Sequence, residues 1–162
     1  MKDVNIYIYT EYSGSLKSGT GIYHVILETT IKDCDGNEIT WTNMDGEKKI
    51  PIMGCKTDIT KNRLELIALN EALSHMRSRN RITIYTTSDY IAGALIQGWP
   101  DKWAGNDFKK KGKPIKHADL WKSIMEQMKS HDVTVIKADR TPYMKTQAVD
   151  LRKFKEKSNK DR

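Results

Sequence analysis

The chain opens on runs that alternate with a period of two and goes on to runs with a period of three to four. Val4-Asn-Ile-Tyr-Ile-Tyr-Thr10 is β-branched and aromatic, which predicts a buried strand. Glu11–Ser18 is a loop broken at Ser13-Gly14-Ser15, and Gly21–Ile31 is a second strand. Asp33-Cys-Asp-Gly-Asn37 predicts a hairpin turn into a third strand from Glu38 to Thr42. A further turn at Asn43–Lys49 leaves Lys49–Met53 free to pair again. Leu64, Ile67, Ala68, Ala72 and Met76 then recur at helical spacing and predict a helix over Asn62–Met76. Arg81–Thr86 is a strand, followed by a helix capped by Ser88 or Asp89 and running towards Gln97. Leu120, Ile124 and Met128 mark a helix over Ala118–Ser130, with His117 or Asp119 as its cap. Asp132–Ala138 is the fifth core strand, and a last helix covers Thr146 to about Lys157.

This order predicts an α/β fold. The three hairpin-linked strands pair antiparallel, and the two later strands each follow a helix and enter parallel to the first. The result is a five-stranded mixed sheet flanked by helices. The first and fourth strands lie side by side, so Thr10-Glu11 and Thr86-Thr87 open onto one crevice at their C-terminal ends. Neither an internal repeat nor a long linker divides the chain, so residues 1–157 are expected to form one domain, with 158–162 a frayed basic tail.

Charge adds a direction to this picture. The 162 residues carry 28 Lys and Arg against 21 Asp and Glu, a net charge of +7. Residues 1–60 are net −3 and residues 61–162 net +10, so the basic character belongs to the second part. It is densest in Trp99–Lys116, with 6 Lys against 2 Asp, and there aromatic rings interleave with the lysines. A polyanion is the expected partner. No apolar run approaches the roughly 18 residues of a membrane span. The start lacks a signal peptide's apolar segment. Cys34 and Cys55 form neither a disulfide framework nor a metal motif, which fits a reducing, cytoplasmic setting.

The acids that invite a chemical reading sit at element ends: Glu11 past the first strand, Glu65 in the first turn of the first helix, Asp89 past the fourth strand and Asp150 in the last helix. Carboxylates are hard oxygen ligands, and a group of three or four holds Mg²⁺ or Mn²⁺. Two such ions about 3.5–4 Å apart suit phosphodiester hydrolysis. The same residues also have structural uses, Glu65 beside a helix N-terminus and Asp89 as a cap.

Six segments in order resemble type 1 ribonuclease H over nearly the whole chain. Ile8-Tyr-Thr-Glu-Tyr-Ser13 sits where the family has a strand ending in Thr-Asp-Gly-Ser, and Gly19-Thr-Gly21 resembles its glycine-rich loop. Asn62-Arg-Leu-Glu-Leu-Ile-Ala68 is the most specific match, to the start of the family's first helix. Ile84–Tyr90 resembles the strand ending Thr-Asp-Ser-Gln-Tyr, Trp99–Trp121 the basic protrusion, and Gln147–Asp150 the site of the final acid. The segment between the second strand and the first helix is longer than usual in the family.

The resemblance implies a metal-dependent endonuclease, a hydrolase that cuts the RNA strand of an RNA–DNA hybrid with two Mg²⁺ ions. The family's four carboxylates map onto Glu11, Glu65, Thr87 and Asp150, and Glu11, Glu65 and Asp150 are the expected metal ligands, converging in one pocket. Glu11 is one methylene longer than the family's Asp, and Thr87 supplies no charge at the third position. Asp89, two residues on, is the candidate substitute and completes the expected catalytic set. Tyr12 replaces a glycine, and Asp139–Tyr143 lacks the family's histidine. Octahedral Mg²⁺ needs charge and geometry from its ligands, so the site for Mg²⁺ or Mn²⁺ is expected to be weakened and hydrolysis weak.

Binding features are kept. Trp99 and Trp103, with Lys109, Lys110, Lys111 and Lys113, are expected to meet phosphates and bases, and Asn62 to meet the minor groove, where the 2′-hydroxyl marks RNA. Asn62 is equally a candidate helix cap, and Trp99 and Trp103 share a helix face that suits packing. The expected partner is an RNA–DNA hybrid or another double-stranded nucleic acid, bound by a monomer. The alternative reading is a catalytically inert nucleic-acid-binding module. His24, His75 and His131 are read as structural or surface.

Overall fold

The computed structural model describes residues 1–47 and 49–160, the last three by backbone alone. The expected tail over 158–162 therefore lies outside the described side chains, and its backbone is helical to Lys160. Thirteen elements follow in order: β1 (Lys2–Gly14), β2 (Gly19–Lys32), β3 (Glu38–Thr42), β4 (Ile52–Ile59), α1 (Lys61–Ser74), β5 (Asn80–Thr86), α2 (Asp89–Ile96), α3 (Trp99–Gly105), β6 (Lys109–Lys110), β7 (Lys113–Pro114), α4 (Ala118–Met128), β8 (Asp132–Lys137) and α5 (Met144–Lys160).

The central sheet runs β3-β2-β1-β5-β8, with β4 also on β2. β1 is antiparallel to β2, from Val4↔Thr29 to Gly14↔Gly19, and parallel to β5, from Lys2↔Asn80 to Tyr7↔Tyr85. β8 extends the parallel half. The mixed sheet is the expected one, except that two strands share its third position. β4 pairs with the first half of β2 and β3 with the second. Between them Asn43 stands in for a strand. Its amide accepts from Leu27 N at 2.9 Å and donates to Val25 O at 3.2 Å and to Ile50 O at 2.8 Å. The excursion at 43–51 thus leaves these backbone groups of β2 satisfied, as buried polar groups must be.

Alternation along β1 divides the two faces. Ile6 and Ile8 join Val25, Ile82 and Ile84 under α1 and α4, whose Leu64, Leu69, Trp121 and Ile124 are fully buried. Each buried aliphatic chain there contributes about 1.5–3 kcal/mol. On the other face Tyr7, Ile22 and Ile26 lie with Leu151 of α5. Gln147 docks that helix by donating to the Tyr7 and His24 carbonyls at 3.0 and 3.2 Å.

Three local expectations are corrected. Thr60, not Asn62, caps α1, its hydroxyl accepting from Arg63 N at 3.2 Å, so Glu65 lies past the first turn. α1 stops at Ser74, before Met76. His117 opens α4 in a left-handed conformation, φ 63°, without a side-chain cap. Ser88 caps α2 as expected, accepting from Ile91 N at 3.2 Å.

Candidate active site and nucleic-acid interface

β1 and β5 lie side by side as expected, but their pairing stops at Tyr7↔Tyr85 and β1 runs on to Gly14, so Glu11 lies within the strand, opposite Ile22, rather than in a loop past its end. Thr10 has the parity of Ile6 and Ile8 and faces α1, where its hydroxyl donates to Glu65 Oε1 at 2.5 Å. Glu65 is 1% exposed. Burial pushes its carboxyl above the ordinary range, and the Thr10 bond and Lys61 only partly oppose this. Glu11 has the parity of Tyr7 and Tyr9. It accepts from Tyr9 Oη at 3.1 Å and from Lys155 Nζ of α5 at 3.0 Å.

Asp150 has a different neighbour again. Its Oδ2 lies 3.3 Å from His24 Nε2, in contact but not aligned as a hydrogen bond. His24 is fully buried in β2. Burial holds its pKa below the ordinary value against the upward pull of Asp150. Asp89 is exposed and pairs with Lys137 of β8 at 2.7 Å. Thr87 is exposed as well. Of the four acids expected to act together, Glu11, Glu65 and Asp89 are thus bonded to three different partners, and Asp150 lies against a fourth, His24. Among the described residues no three His, Cys, Asp or Glu side chains are grouped to hold a metal ion. The expected convergence of Glu11, Glu65 and Asp150 into one metal-holding group is not seen among the described residues. Its physical reason is the alternation of β1, which sends Thr10 rather than Glu11 to Glu65, together with the ammonium of Lys155.

Tyr12 lines a cleft with Glu11, but its hydroxyl is tied to backbone rather than to the acids. It donates to the Ser15 carbonyl at 2.6 Å, with the Ile59 carbonyl at 3.1 Å as a second acceptor sharing the same proton. The ring lies along the start of β2, where a Cβ on Gly19 would be 2.6 Å from the hydroxyl oxygen. The glycine therefore makes room for the tyrosine. A groove of about 440 Å³ runs from there past Leu16 to Asn62, Lys61 and Lys116.

The basic segment is built outward from the core. Trp121 is fully buried and donates to Tyr90 Oη at 2.9 Å. Trp103 packs on it with ring centroids 5.4 Å apart, and Trp99 lies 6.2 Å from Trp103 and remains 38% exposed. Phe108 is buried, with Lys122 Nζ 5.9 Å from its ring centroid. Beyond it Lys109-Lys110 pairs with Lys113-Pro114 in a two-stranded hairpin. Lys111 (φ 52°) and Gly112 (φ 76°) form its turn, both with the positive φ of a type I′ turn. Lys109, Lys110, Lys111 and Lys113 are all exposed. Arg63 fixes this unit against α1, its guanidinium donating to both Asp119 oxygens at 3.2 and 2.7 Å and lying 3.3 Å from His117 Nδ1.

Hydropathy and motif do not mark Lys155 as a site residue, and the motifs that contain Thr10 and Arg63 do not give their roles. His24, expected to be structural or at the surface, is structural. The signal for its burial is its parity with Ile22 and Ile26, which marks the covered face of β2. Nothing local marks Lys155, whose partner is 144 residues away in the chain.

The RNase H family model matches residues 4–140. The ribonuclease H of Chlorobium phaeobacteroides is 33% identical over 116 residues, covering 65% of this chain and 80% of that protein. The ribonuclease H of Clostridium botulinum is 34% identical over 139 residues, covering 85% of this chain and 83% of its own length. Among solved structures, LC9-RNase H1, described as a type 1 RNase H with the type 2 active-site motif, superposes with a TM-score of 0.65 at 21% identity, over 85% of this chain and 63% of that one. That likeness concerns the fold.

Proposed function

The chain belongs to the RNase H family, and from that premise we propose that it binds RNA–DNA hybrids through the lysine hairpin and the N-terminal end of α1, and hydrolyses the RNA strand only weakly. The observation that carries this reading is the contrast between exposed lysines on β6–β7 and acids engaged one by one within the fold. Lysines at the hairpin neutralise phosphates and release counterions. Trp99 offers an exposed ring for stacking, while Trp103 is the ring that anchors it. Asn62 is exposed and, with the cap supplied by Thr60, its side chain is free for the minor groove, next to Lys61 and Lys116.

Members of the family depend on divalent metal ions. The residues present here do not fit two such ions in this arrangement. Thr87 brings no charge, Glu11 faces an ammonium, Glu65 is buried with its proton favoured, and Asp150 faces His24. Asp89 is turned to Lys137 and supports no substitution for Thr87. Residues 1–157 are read as one domain acting as a monomer. No helix among the described residues is long and apolar enough to cross a membrane. Cys34 and Cys55 are free and exposed, which supports a reducing compartment.

The test is cleavage and binding of a labelled RNA–DNA hybrid in Mg²⁺ and in Mn²⁺. Wild type is expected to bind with strong salt dependence and to cut slowly. Thr87→Asp combined with Glu11→Asp is expected to cut faster, because the pair returns one charge and shortens one ligand. Tyr12 can stay, since its ring is tied back to Ser15 and Ile59. Strong Mg²⁺-dependent cleavage by wild type would overturn the weak-hydrolysis reading, and absence of hybrid binding would overturn the whole. Binding without cleavage in any variant would favour an inert binding module, the reading that the neutral Thr87 already supports.

A further inference from the structure

We propose that Lys155 is a built-in counter-ion of the carboxylate site: its ammonium stands at Glu11 where an external divalent cation would be needed, and the site is held together without metal. The inference rests on Glu11 being the family's first carboxylate position, but not on hydrolysis. Lys155 Nζ is 3.0 Å from Glu11 Oε1, while the other oxygen, Oε2, accepts from Tyr9 Oη at 3.1 Å. Both carboxylate oxygens are thus engaged by donors of this chain. The two side chains share a cleft of about 380 Å³ with Tyr12, Ser13, Thr20, Gly21 and Ile22, so the ammonium lies in the opening beside Glu11.

The rest of the site agrees with an internal solution. Thr10 donates to Glu65, and His24 lies against Asp150, and among the described residues no three His, Cys, Asp or Glu side chains are grouped to hold a metal ion. A divalent ion placed at Glu11 would have to displace Lys155 or bear its repulsion. Lys155 comes from the same helix as Asp150, so α5 carries both a family acid and the charge that replaces its cation. The side chain is half-exposed, as is expected of a lysine that lays its apolar stem along the protein and keeps its charge at the rim.

The experiment is direct titration of the full chain with Mn²⁺ by calorimetry, with thermal unfolding in Mn²⁺ and in EDTA beside it. Wild type is expected to bind Mn²⁺ at Glu11 only weakly, without saturation across the titration, and to unfold at the same midpoint in both solutions. Lys155→Met is expected to gain Mn²⁺ affinity by about tenfold or more, since even in bulk water one unit charge about 4 Å from a divalent ion repels it by that order. The gain should vanish in Lys155→Met with Glu11→Gln. Lys155→Arg keeps the charge and should behave as wild type, and it also shows whether loss of packing alone explains the methionine variant. Equal Mn²⁺ affinity in wild type and Lys155→Met would overturn the proposal, as would a wild-type midpoint that rises in Mn²⁺ and falls back when Glu11 is changed to Gln. Hybrid binding measured in EDTA separates this from the functional reading. Failure to bind there, with the calorimetry as expected, would sink the function and leave the counter-ion standing.

Discussion

The lysine hairpin and the carboxylate end are opposite in sign and opposite in how they are balanced. On the hairpin the cations look outward. Only Lys109 has an acid nearby, Asp107 at 3.8 Å, and among the described residues Lys110, Lys111 and Lys113 have none. At the carboxylate end each acid has a partner inside the chain: Glu11 with Lys155, Asp89 with Lys137, Asp150 with His24, and Glu65 with Thr10. An exposed cation without a partner is open to an external anion, whereas a carboxylate already engaged within the chain is less open to an external cation. In this chain, affinity for a polyanion and affinity for a metal ion are therefore separable properties of one scaffold.

Loosening the hairpin from the core should have the greatest consequence. Trp121 is fully buried under Trp103 and Tyr90. Trp121→Ala should cost about 3–5 kcal/mol of unfolding free energy. Urea unfolding measures it. A loss below about 1 kcal/mol would mean that the aromatic stack is not what holds the protrusion.

Next in size is the charge itself. Neutralising Lys109, Lys110 and Lys111 together should weaken hybrid binding and lower the slope of log affinity against log salt by up to about 3 units, near 0.9 for each phosphate no longer neutralised. Stability should hardly move, because these side chains are exposed. An unchanged slope in a salt titration would show that the hairpin does not face the nucleic acid.

The carboxylate end responds to pH. The folded chain holds Glu65 above its ordinary value of 4.5, mainly through burial. It therefore keeps a proton that the unfolded chain has already released, and this stabilisation is lost as pH rises from 4.5 through the raised value. Glu65→Gln has no such proton to lose. Its unfolding free energy should gain on wild type as pH rises over that window and level off above it, in parallel denaturant series. A difference that does not vary with pH would show that Glu65 is ionised as it lies.

How much of this was legible follows from distance along the chain. Period and turn chemistry are local, so β1, β3, α2 and β8 fall within a few residues of where the pattern places them, and the family motifs fix their neighbours. Asn43 completing the edge of β2, the split of the third strand position and the Lys111-Gly112 hairpin all depend on how backbone groups are satisfied in three dimensions, which hydropathy does not encode. Motif position likewise assigns Glu11, Glu65 and Asp150 to β1, α1 and α5 but does not supply their partners. Strand parity and Lys155 decide those, and neither lies in the motifs.

The smallest effect concerns the pair with the fully buried imidazole. His24 is neutral in the fold because burial lowers its pKa below 6.5, and Asp150 offsets only part of that. Below pH 6.5 the unfolded chain takes up a proton that the folded imidazole refuses, so stability is full above 6.5 and falls as pH drops towards the lowered folded value. His24→Gln should flatten this acid limb of the stability curve. Asp150→Asn should steepen it, because the one group that favours the imidazolium is then gone. The proton resonances of the His24 ring, followed through a pH titration, should show a midpoint below 6.5 in wild type and a lower one in Asp150→Asn. A midpoint above 6.5 would mean that the imidazolium and Asp150 form a charged pair. Asp150 would then be neutralised outright by His24, as Glu11 is by Lys155, and the carboxylate end would be balanced by full charges at both positions.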